Sequence, residues 1–272
     1  VYFSRISGRK IKHRLERVAT IHSTAIIDPK ANLDSSVSVG AYSVIGPDVE
    51  IDANTSIAPH VVISGPCRIG KENKIFQFCS IGEKPQDKKY HGEKSSLTIG
   101  DRNTIREYTS INRGTELDNN VTTLGNDNWV MAYVHVAHDC TVGSNVIFSN
   151  GVTLAGHVLI QDYVVLGGFT LVHQFCRVGK YAFSGMGTAL NRDIPPFVMA
   201  SGNLANSYGL NKEGLKRHGF SSDVVKALHK AYMITVKSRS ADKKELESLI
   251  SEHEDVAFFV NFLEGSIRGI IR

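Results

Sequence analysis

A large apolar residue recurs at every sixth position of the chain from Leu124 to Val178. The ten members of this series are Leu124, Val130, Val136, Val142, Phe148, Leu154, Ile160, Leu166, Val172 and Val178. An α-helix repeats its buried face about every 3.6 residues and a β-strand about every 2, so neither explains a period of six. A parallel β-helix of hexapeptide repeats does, because each hexad supplies one short strand and a corner, and three hexads complete a triangular coil.

The same period already runs through Ile21–Ile81 without a slip. The residue four places after each apolar position is usually small, as at Ala25 and Val146, so each hexad turns one large and one small side chain inwards. Two polar segments, 83–97 and 114–123, interrupt the period. We predict that both are loops projecting from the coil, where inserted loops often carry function.

The hexapeptide pattern weakens towards the C-terminal part of the chain. Ser184 breaks the apolar series, and Pro195-Pro196 predicts the end of the strands, so the repeat should end near Leu190. Beyond this point, Ser221 can cap an amphipathic helix and Asp242 a second one. The predicted units are an N-terminal arm or expression remnant at 1–17, a β-helix at 18–200 and a helical domain at 201–272.

Composition narrows the function classes. The net charge of +4 suits an acidic or phosphate-bearing partner and does not require nucleic acid. No run of 18 apolar residues exists, so no membrane-spanning segment is expected. The cysteines form no CxxC pair and follow inward positions, which predicts small core residues of a reducing compartment rather than disulfides or a zinc site. They are Cys67, Cys79, Cys140 and Cys176.

Four histidines lie in the organising stretch, at His135, His138, His157 and His173. Because one coil takes 18 residues, His138 should stack with Gly156 and Gln174 at about 4.8 Å per coil. His157 lies one coil and one residue from His138, which places their Cα atoms roughly 6 Å apart. Asp139 falls in the same neighbourhood. A polar patch on such a rigid wall is a credible functional site.

Histidine suits general-base catalysis because its unperturbed pKa lies near neutrality. Asp139 could orient His138 or stabilise its charged form, and Gly156 lets a substrate approach a backbone N–H that could hold an oxyanion. Two other interpretations stay open. The histidines could bind zinc, as on similar scaffolds in the gamma-class carbonic anhydrases, or lie on a non-catalytic hexapeptide scaffold. The chain contains no GxSxG motif, P-loop or GxGxxG motif.

Several segments agree in order and spacing with one known family. They are Ile81-Gly-Glu-Lys-Pro-Gln-Asp-Lys-Lys-Tyr, Ile105-Arg-Glu, Asn112-Arg-Gly-Thr, His135-Val-Ala-His-Asp-Cys-Thr-Val-Gly, Leu154-Ala-Gly-His, Val172-His-Gln-Phe-Cys and Asn211-Lys-Glu-Gly-Leu-Lys-Arg. Together they resemble the UDP-N-acetylglucosamine O-acyltransferases of lipid A biosynthesis, over roughly residues 20 to 272. The resemblance implies a mainly β fold, namely a left-handed parallel β-helix with a C-terminal α-helical domain. The left-handed coil is an exception to the rule that connections between parallel strands are right-handed.

The resemblance also implies an activity. The enzyme would move an (R)-3-hydroxyacyl group from acyl carrier protein to the glucosamine 3-hydroxyl of UDP-N-acetylglucosamine, the first step of lipid A biosynthesis. It would work as a cytoplasmic homotrimer with active sites between subunits, and with acyl carrier protein and UDP-N-acetylglucosamine as partners. No cofactor, metal or covalent intermediate is expected.

The likeness assigns roles to individual residues. His138 would take the proton from the sugar hydroxyl, Asp139 would support His138, and the Gly156 N–H would stabilise the oxyanion. The substrate-binding positions are Gln86, Asp87, Lys89, His135, His157, His173, Gln174, Asn211, Glu213 and Arg217. The chain departs from the family at His218, where a second arginine often follows Arg217, so a nucleotide contact there is not expected from the likeness.

Met186 occupies the position that resembles the acyl-chain ruler of the family. It follows His138 by about 2.7 coils, or about 13 Å along the axis at the strand spacing. Since an extended chain gains about 1.25 Å per methylene, we expect an acyl chain of about ten to twelve carbons. The alternative is that Met186 only fills a gap where the repeat breaks.

Overall fold

The computed structural model describes residues 20–116, 120–238 and 243–272. The arm predicted at residues 1–17 and the helix cap predicted at Asp242 lie outside these ranges. Within them, hexads form short strands separated by tight corners, and the strands stack into three sheets that close a left-handed parallel β-helix. The predicted fold class is therefore confirmed, including a small helical region at the C-terminal end.

The three sheets take every third strand in turn, and we number them in the order in which the chain visits them. Among the described residues, sheet 1 comprises Ile26–Ile27, Val44–Ile45, Val62–Ile63, Ser80–Glu83, Ser110–Asn112, His135–Val136, Thr153–Leu154, Leu171–Val172 and Ala189–Leu190. Sheet 2 comprises Asn32–Leu33, Val49–Ile51, Cys67–Ile69, Ser96–Ile99, Val121–Leu124, Thr141–Val142, Leu159–Ile160 and Arg177–Val178. Sheet 3 comprises Ser38–Val39, Ser56–Ile57, Lys74–Ile75, Thr104–Ile105, Trp129–Val130, Ile147–Phe148, Val165–Leu166, Phe183–Ser184, Val198–Ser201 and Asn206–Leu210.

The apolar series stacks in register inside the triangular prism. Val136 pairs with Leu154, and Leu154 pairs with Val172, each one coil further on. All three side chains are buried, as are the other members of the series. Burial of a continuous apolar column favours the coil because each repeat alone would leave this face in water.

The inserted loops fall where the sequence predicts them. Ile81 pairs with Ile111, which is 30 positions later rather than 18. The additional residues form a loop over 84–95, between the strands Ser80–Glu83 and Ser96–Ile99. Ile99 pairs with Leu124, 25 positions later. The second insertion therefore lies between Asn112 and Val121, immediately beside the coil that carries His138.

The inward small positions include a buried polar column as well as cysteines. The Asn103 backbone N–H and side-chain Nδ2 donate to Asn73 Oδ1 at 2.9 and 3.0 Å, and the Asn128 N–H donates to Asn103 Oδ1 at 2.9 Å. These amides are satisfied by the next coil, which is how buried polar groups are tolerated. The four cysteines are free and buried, and burial raises their thiol pKa values to about 11 or 12, as expected of inert core residues.

One prediction about the end of the repeat is wrong. Strands continue beyond Pro195-Pro196, because Val198–Ser201 pairs in parallel with Phe183–Ser184. The prolines lie in a corner, where their missing N–H groups are not required by the strand ladder. Phe197 completes that corner with a left-handed backbone (φ 65°) and stacks on Tyr181.

The helical region follows the last, antiparallel strand pair. Its helices are α1 (Lys212–Arg217), α2 (Ser222–Tyr232), which continues as a π-helical turn over Met233–Lys237, α3 (Lys243–Glu252) and α4 (Glu254–Glu264). Ser221 caps α2 as predicted, accepting a hydrogen bond from the Val224 N–H at 3.2 Å. Lys180 joins this region to the prism through Asp255 at 3.3 Å and through the ring of Phe258.

Candidate active site

The corner between sheets 1 and 2 gathers the predicted catalytic residues, and we call it the histidine corner. Three successive coils contribute two residues each, namely His138-Asp139, Gly156-His157 and Gln174-Phe175. The second residue of each pair has a left-handed backbone, with φ of 59° at Asp139, 62° at His157 and 62° at Phe175. This repeated geometry fixes the direction of each side chain, so the site is built on a rigid wall rather than on a loop.

His138 and Asp139 form a hydrogen-bonded pair. His138 Nδ1 lies 2.9 Å from Asp139 Oδ2, and their side chains are 14% and 1% exposed. The Thr115 N–H donates to Asp139 Oδ1 at 2.8 Å and the Thr115 hydroxyl donates to Oδ2 at 2.6 Å. Because one ring nitrogen of His138 is held by the carboxylate, the other is left to act on a substrate proton.

The ionisation of Asp139 follows from its partners. Burial acts most strongly and raises the pKa of Asp139, but the hydrogen bonds from His138 and Thr115 together outweigh it, so the pKa lies below its ordinary value of 3.8. The carboxylate is therefore negative at neutral pH. A fixed negative charge beside His138 favours the imidazolium that forms when His138 accepts a proton.

His157 shares the same carboxylate less closely. His157 Nε2 lies 3.8 Å from Asp139 Oδ2, and its ring meets that of His138 edge to face at a centroid distance of 5.1 Å. The His157 ring also stacks on that of Phe175, with a centroid distance of 4.5 Å. His157 is thus held between His138, its neighbour as predicted from the one-coil spacing, and the ring of Phe175.

Gly156 lies directly against the imidazole of His138. A Cβ atom added at Gly156 would come within 2.5 Å of His138 Cε1 and 2.8 Å of Nε2, so only glycine leaves room for the ring in this position. Among the described backbone hydrogen bonds, the Gly156 N–H donates to no acceptor. Such an N–H beside a base is suited to holding a developing oxyanion.

The loop at 84–95 closes one side of the site. Gln86, Asp87 and Lys89 from this loop line a cavity of about 690 Å³ together with His138, His157, Gln174 and Phe175. The Lys89 N–H donates to Asp87 Oδ1 at 3.0 Å, which shapes the loop locally. The structure therefore brings five predicted substrate-binding residues and the predicted base, His138, into one cavity.

Other predicted residues lie outside this cavity. His135 is half-buried, and its Nδ1 lies 2.8 Å from Ser110 Oγ. Burial, and secondly the charge of His138, lowers the pKa of His135, which favours its neutral form. His173 is exposed, with its Nδ1 3.2 Å from the Gln174 carbonyl oxygen.

The predicted nucleotide residues are grouped around α1 instead. Asn211 caps this helix by accepting from the Gly214 N–H at 3.1 Å, and with Glu213 it lines a separate cavity of about 390 Å³. Arg217 is exposed in the last turn of α1. His218, at the position where the family often has arginine, packs against the rings of Tyr163 and Tyr181, each at 5.0 Å.

Met186 lies at a different corner of the prism from His138. It follows the strand Phe183–Ser184 of sheet 3 and precedes Ala189–Leu190 of sheet 1, and its side chain is 81% exposed. A path from His138 to Met186 within one chain crosses the outer face of sheet 1. The axial estimate of about 13 Å therefore covers only one component of the separation.

Phe175 and Thr115 are parts of the site that sequence reasoning missed. Phe175 could have been found, because it is 18 residues after His157 and must stack on it. Thr115 could not, because it lies in an insertion that shifts the period before Leu124. Its contact with Asp139 depends on how that insertion folds.

The same corner offers one donor set for a metal ion within the described residues. One ligand atom each from His138, Asp139 and His157 lie within 4.8 Å of one another. The set is small, and its aspartate is already engaged by His138 and Thr115. A zinc site with an open position uses three protein ligands, so metal analysis is a necessary control for any activity measured.

Acid titration should reveal the contribution of the Asp139 carboxylate to stability. Since the pKa of Asp139 is depressed in the folded state, its carboxylate contributes stability in full above about pH 3.8 and loses it as the pH falls through the folded-state value. Between about pH 5 and pH 2, we expect the difference in unfolding free energy between wild type and Asp139→Asn to shrink as the pH falls and the carboxylate becomes protonated. Urea unfolding across this range measures it, and a constant difference at every pH would contradict the assignment.

Comparisons with known proteins agree with the geometry. The family model described as UDP-N-acetylglucosamine O-acyltransferase, domain 2, matches residues 193–271, and the bacterial transferase hexapeptide model matches 30–65 and 121–156. A protein of Herminiimonas arsenicoxydans named acyl-(acyl-carrier-protein)–UDP-N-acetylglucosamine O-acyltransferase is 55% identical over 94% of this chain and all of its own length. A protein of the same name from Neisseria gonorrhoeae is 52% identical over 93% of this chain and 99% of its own.

Solved structures give the same result. The UDP-N-acetylglucosamine O-acyltransferase of Moraxella catarrhalis superposes with a TM-score of 0.90 at 42% identity, covering 93% of this chain and 99% of that one. The Francisella novicida UDP-N-acetylglucosamine acyltransferase superposes with a TM-score of 0.89 at 40% identity, covering 93% of this chain and 94% of that one.

In the part of this chain that the structure describes, no helix has the length and apolar character needed to cross a membrane.

Proposed function

Because the chain belongs to the UDP-N-acetylglucosamine O-acyltransferase family, we propose that it transfers an (R)-3-hydroxyacyl chain from acyl carrier protein to the glucosamine 3-hydroxyl of UDP-N-acetylglucosamine. This transfer would be the first step of lipid A biosynthesis. The relatives' names support the acyl donor and the sugar acceptor. The observation that carries the proposal for this chain is the His138–Asp139 pair, held against Gly156 and facing a cavity lined by Gln86, Asp87 and Lys89.

The proposed reaction uses His138 as a general base. Its Nε2 takes the proton from the sugar 3-hydroxyl as that oxygen attacks the thioester carbonyl carbon. The carbonyl oxygen becomes an oxyanion, which the Gly156 N–H stabilises by a hydrogen bond. When the intermediate collapses, the carbon–sulfur bond breaks, and the carrier thiolate takes the proton back from His138. Asp139 holds the His138 ring and stabilises its charged form throughout.

The remaining polar residues are proposed to hold the sugar nucleotide. Asp87 and Lys89 would contact the sugar, with Gln86, His157 and Gln174 lining the same cavity. His135, His173, Asn211, Glu213 and Arg217 would complete the site. Asn211 and Glu213 line a separate cavity, and we propose, as the family likeness implies, that the protein is a homotrimer with active sites between subunits. The side chain of His218 is occupied by two tyrosine rings, so we assign it no nucleotide contact.

We assign the acyl chain a path across the outer face of sheet 1. Leu171 and Phe169 on this side of the prism are apolar and 52% and 65% exposed, and they lead from the histidine corner towards Met186. Exposed apolar residues of this kind mark a surface that is covered in the working assembly. With Met186 as the stop, we keep a chain of about ten to twelve carbons as the proposed donor. The axial distance of about 13 Å, at about 1.25 Å per methylene, sets the lower bound of this length because the path also crosses sheet 1.

A mass-spectrometric assay tests the reaction. Purified protein is mixed with UDP-N-acetylglucosamine and a series of (R)-3-hydroxyacyl carrier proteins, and we expect a singly acylated sugar nucleotide, made fastest from ten- to twelve-carbon donors. The expected product forms equally well in a metal chelator, because no metal takes part. Loss of activity with the chelator, together with stoichiometric zinc in the protein, would favour the zinc interpretation instead. No product with any donor, from folded protein, would overturn the proposal.

A further inference from the structure

The tetrapeptide Asn112–Thr115 touches both halves of the site. It lies one coil before His138, since Ser110 pairs with His135, and it begins the second insertion. Its first two residues contact the loop at 84–95, and its last residue contacts Asp139. We call it the bridging segment. Sequence periodicity gives no sign of these contacts, because the loop and the end of the bridging segment lie where the period is broken.

The bridging segment clamps the base of the loop. Asn112 is 3% exposed, and its Nδ2 donates to the Lys84 carbonyl oxygen at 2.7 Å and to the Glu83 carbonyl oxygen at 3.3 Å. The Arg113 N–H donates to the same Glu83 oxygen at 3.1 Å. The first residues of the loop are therefore fixed to the prism by three hydrogen bonds from two neighbouring residues.

Arg113 reaches further into the loop through its guanidinium group. Its Nη1 donates to the Gly65 carbonyl oxygen at 2.6 Å, which anchors the guanidinium on the prism two coils earlier. Its Nη2 donates to the Tyr90 hydroxyl at 3.2 Å, and that hydroxyl donates to the Glu93 carbonyl oxygen at 3.1 Å. The chain of hydrogen bonds thus ties both arms of the loop to the prism, next to Lys89 in the cavity wall.

The other end of the bridging segment holds the carboxylate. Thr115 is 1% exposed and gives both its N–H and its hydroxyl to Asp139. Gly114 lies so close that an added Cβ would come within 2.8 Å of Asp139 Oδ1. Thr115 therefore fixes the carboxylate that in turn orients His138, without touching the substrate cavity itself.

We propose that Asn112, Arg113 and Thr115 are positioning residues that set the distance between the sugar-binding loop and the His138–Asp139 pair. This inference rests on the proposed function, because it assigns Gln86, Asp87 and Lys89 to the sugar. Arg113 acts on sugar binding through the loop, and Thr115 acts on proton transfer through Asp139. A single rigid segment coordinates both, so that a sugar held by the loop presents its 3-hydroxyl to His138.

The roles of Arg113 and Thr115 should be distinguishable in steady-state kinetics. Arg113→Ala is expected to raise KM for UDP-N-acetylglucosamine about 10-fold while kcat stays within about 3-fold, because charged hydrogen bonds that hold the loop are lost. Tyr90→Phe removes only the hydroxyl and should shift KM in the same direction by a smaller factor. Thr115→Val is expected to lower kcat about 10-fold with KM within about 3-fold, and Thr115→Ser should restore most of it.

Hydrogen exchange provides a readout that does not depend on turnover. Arg113→Ala should speed exchange of the loop amides, including the Tyr90 N–H that now donates to the Asp87 carbonyl oxygen, whereas Thr115→Val should leave the loop unchanged. Arg68→Ala, which removes an exposed arginine of sheet 2, is the matched control and should change neither readout.

The outcomes separate the two proposals. If wild type forms no acylated product, the proposed function fails, while the exchange data still decide whether Arg113 anchors the loop. If wild type is active but Arg113→Ala leaves KM and loop exchange as in Arg68→Ala, the positioning role fails. The same fall in kcat and the same rise in KM in both Arg113→Ala and Thr115→Val would also contradict it, because the two residues would then have no separate roles.

Discussion

Replacing His138 with alanine is expected to lower kcat by roughly 10²- to 10⁴-fold, the range that a positioned general base contributes. KM for UDP-N-acetylglucosamine should stay within about 3-fold, because the loop residues that would hold the sugar are untouched. The expectation follows from geometry. Asp139 holds Nδ1 of His138 at 2.9 Å, Gly156 supports the ring, and the side chain borders the cavity that carries Asp87 and Lys89. Single-turnover mass spectrometry with saturating donor measures the chemical step directly.

The control for this experiment is a histidine far from the site. His22 is exposed on the first coil and contacts only Thr24 among the side chains for which a bond is described, so His22→Ala should keep wild-type activity. His157→Ala is the informative second variant, since its Nε2 also approaches Asp139, at 3.8 Å. We expect a smaller loss there than in His138→Ala. Full activity in His138→Ala with a large loss of activity in His157→Ala would mean that His157 is the general base.

Much of the site could be predicted because it lies in an uninterrupted part of the repeat. From Leu124 to Leu190 strands in successive coils pair at a spacing of 18 residues, so the stacking of His138, Gly156 and Gln174 follows from counting alone. The edge-to-face contact of His138 with His157 at 5.1 Å follows from the same count. A rigid periodic scaffold turns sequence separation into distance, which few folds allow.

The unpredicted parts lie where the period fails. The contacts of Thr115 with Asp139 and of Arg113 with Tyr90 join an insertion to the prism, and no repeat count gives the conformation of an insertion. Pro195-Pro196 does not end the strands, for a different reason. Proline ends a strand only where the ladder needs its N–H, and in this fold a corner follows each short strand, where the ladder does not need it.

Replacing Met186 with glycine is expected to shift the preferred donor towards longer acyl chains. The methionine side chain extends about 5 Å from the backbone, the length of about four methylenes at ~1.25 Å each. We expect kcat/KM for a donor four carbons longer than the wild-type optimum to rise at least about 10-fold relative to that optimum, since one methylene in an apolar site already discriminates about 10-fold or more. Competition assays with mixed carrier-protein donors measure this ratio directly.

Two features make the experiment decisive for Met186. Its side chain is 81% exposed in a single chain, so it is not part of the core of the prism, and a shift in donor length in a variant that keeps the wild-type unfolding midpoint reports on substrate fit. Met186→Leu conserves volume and should keep the wild-type profile, which separates length from the mere presence of a substitution. An unchanged profile in Met186→Gly would mean that the acyl chain does not reach this corner. The path across sheet 1, past Leu171 and Phe169, would then have to end before the corner or follow another face of the prism.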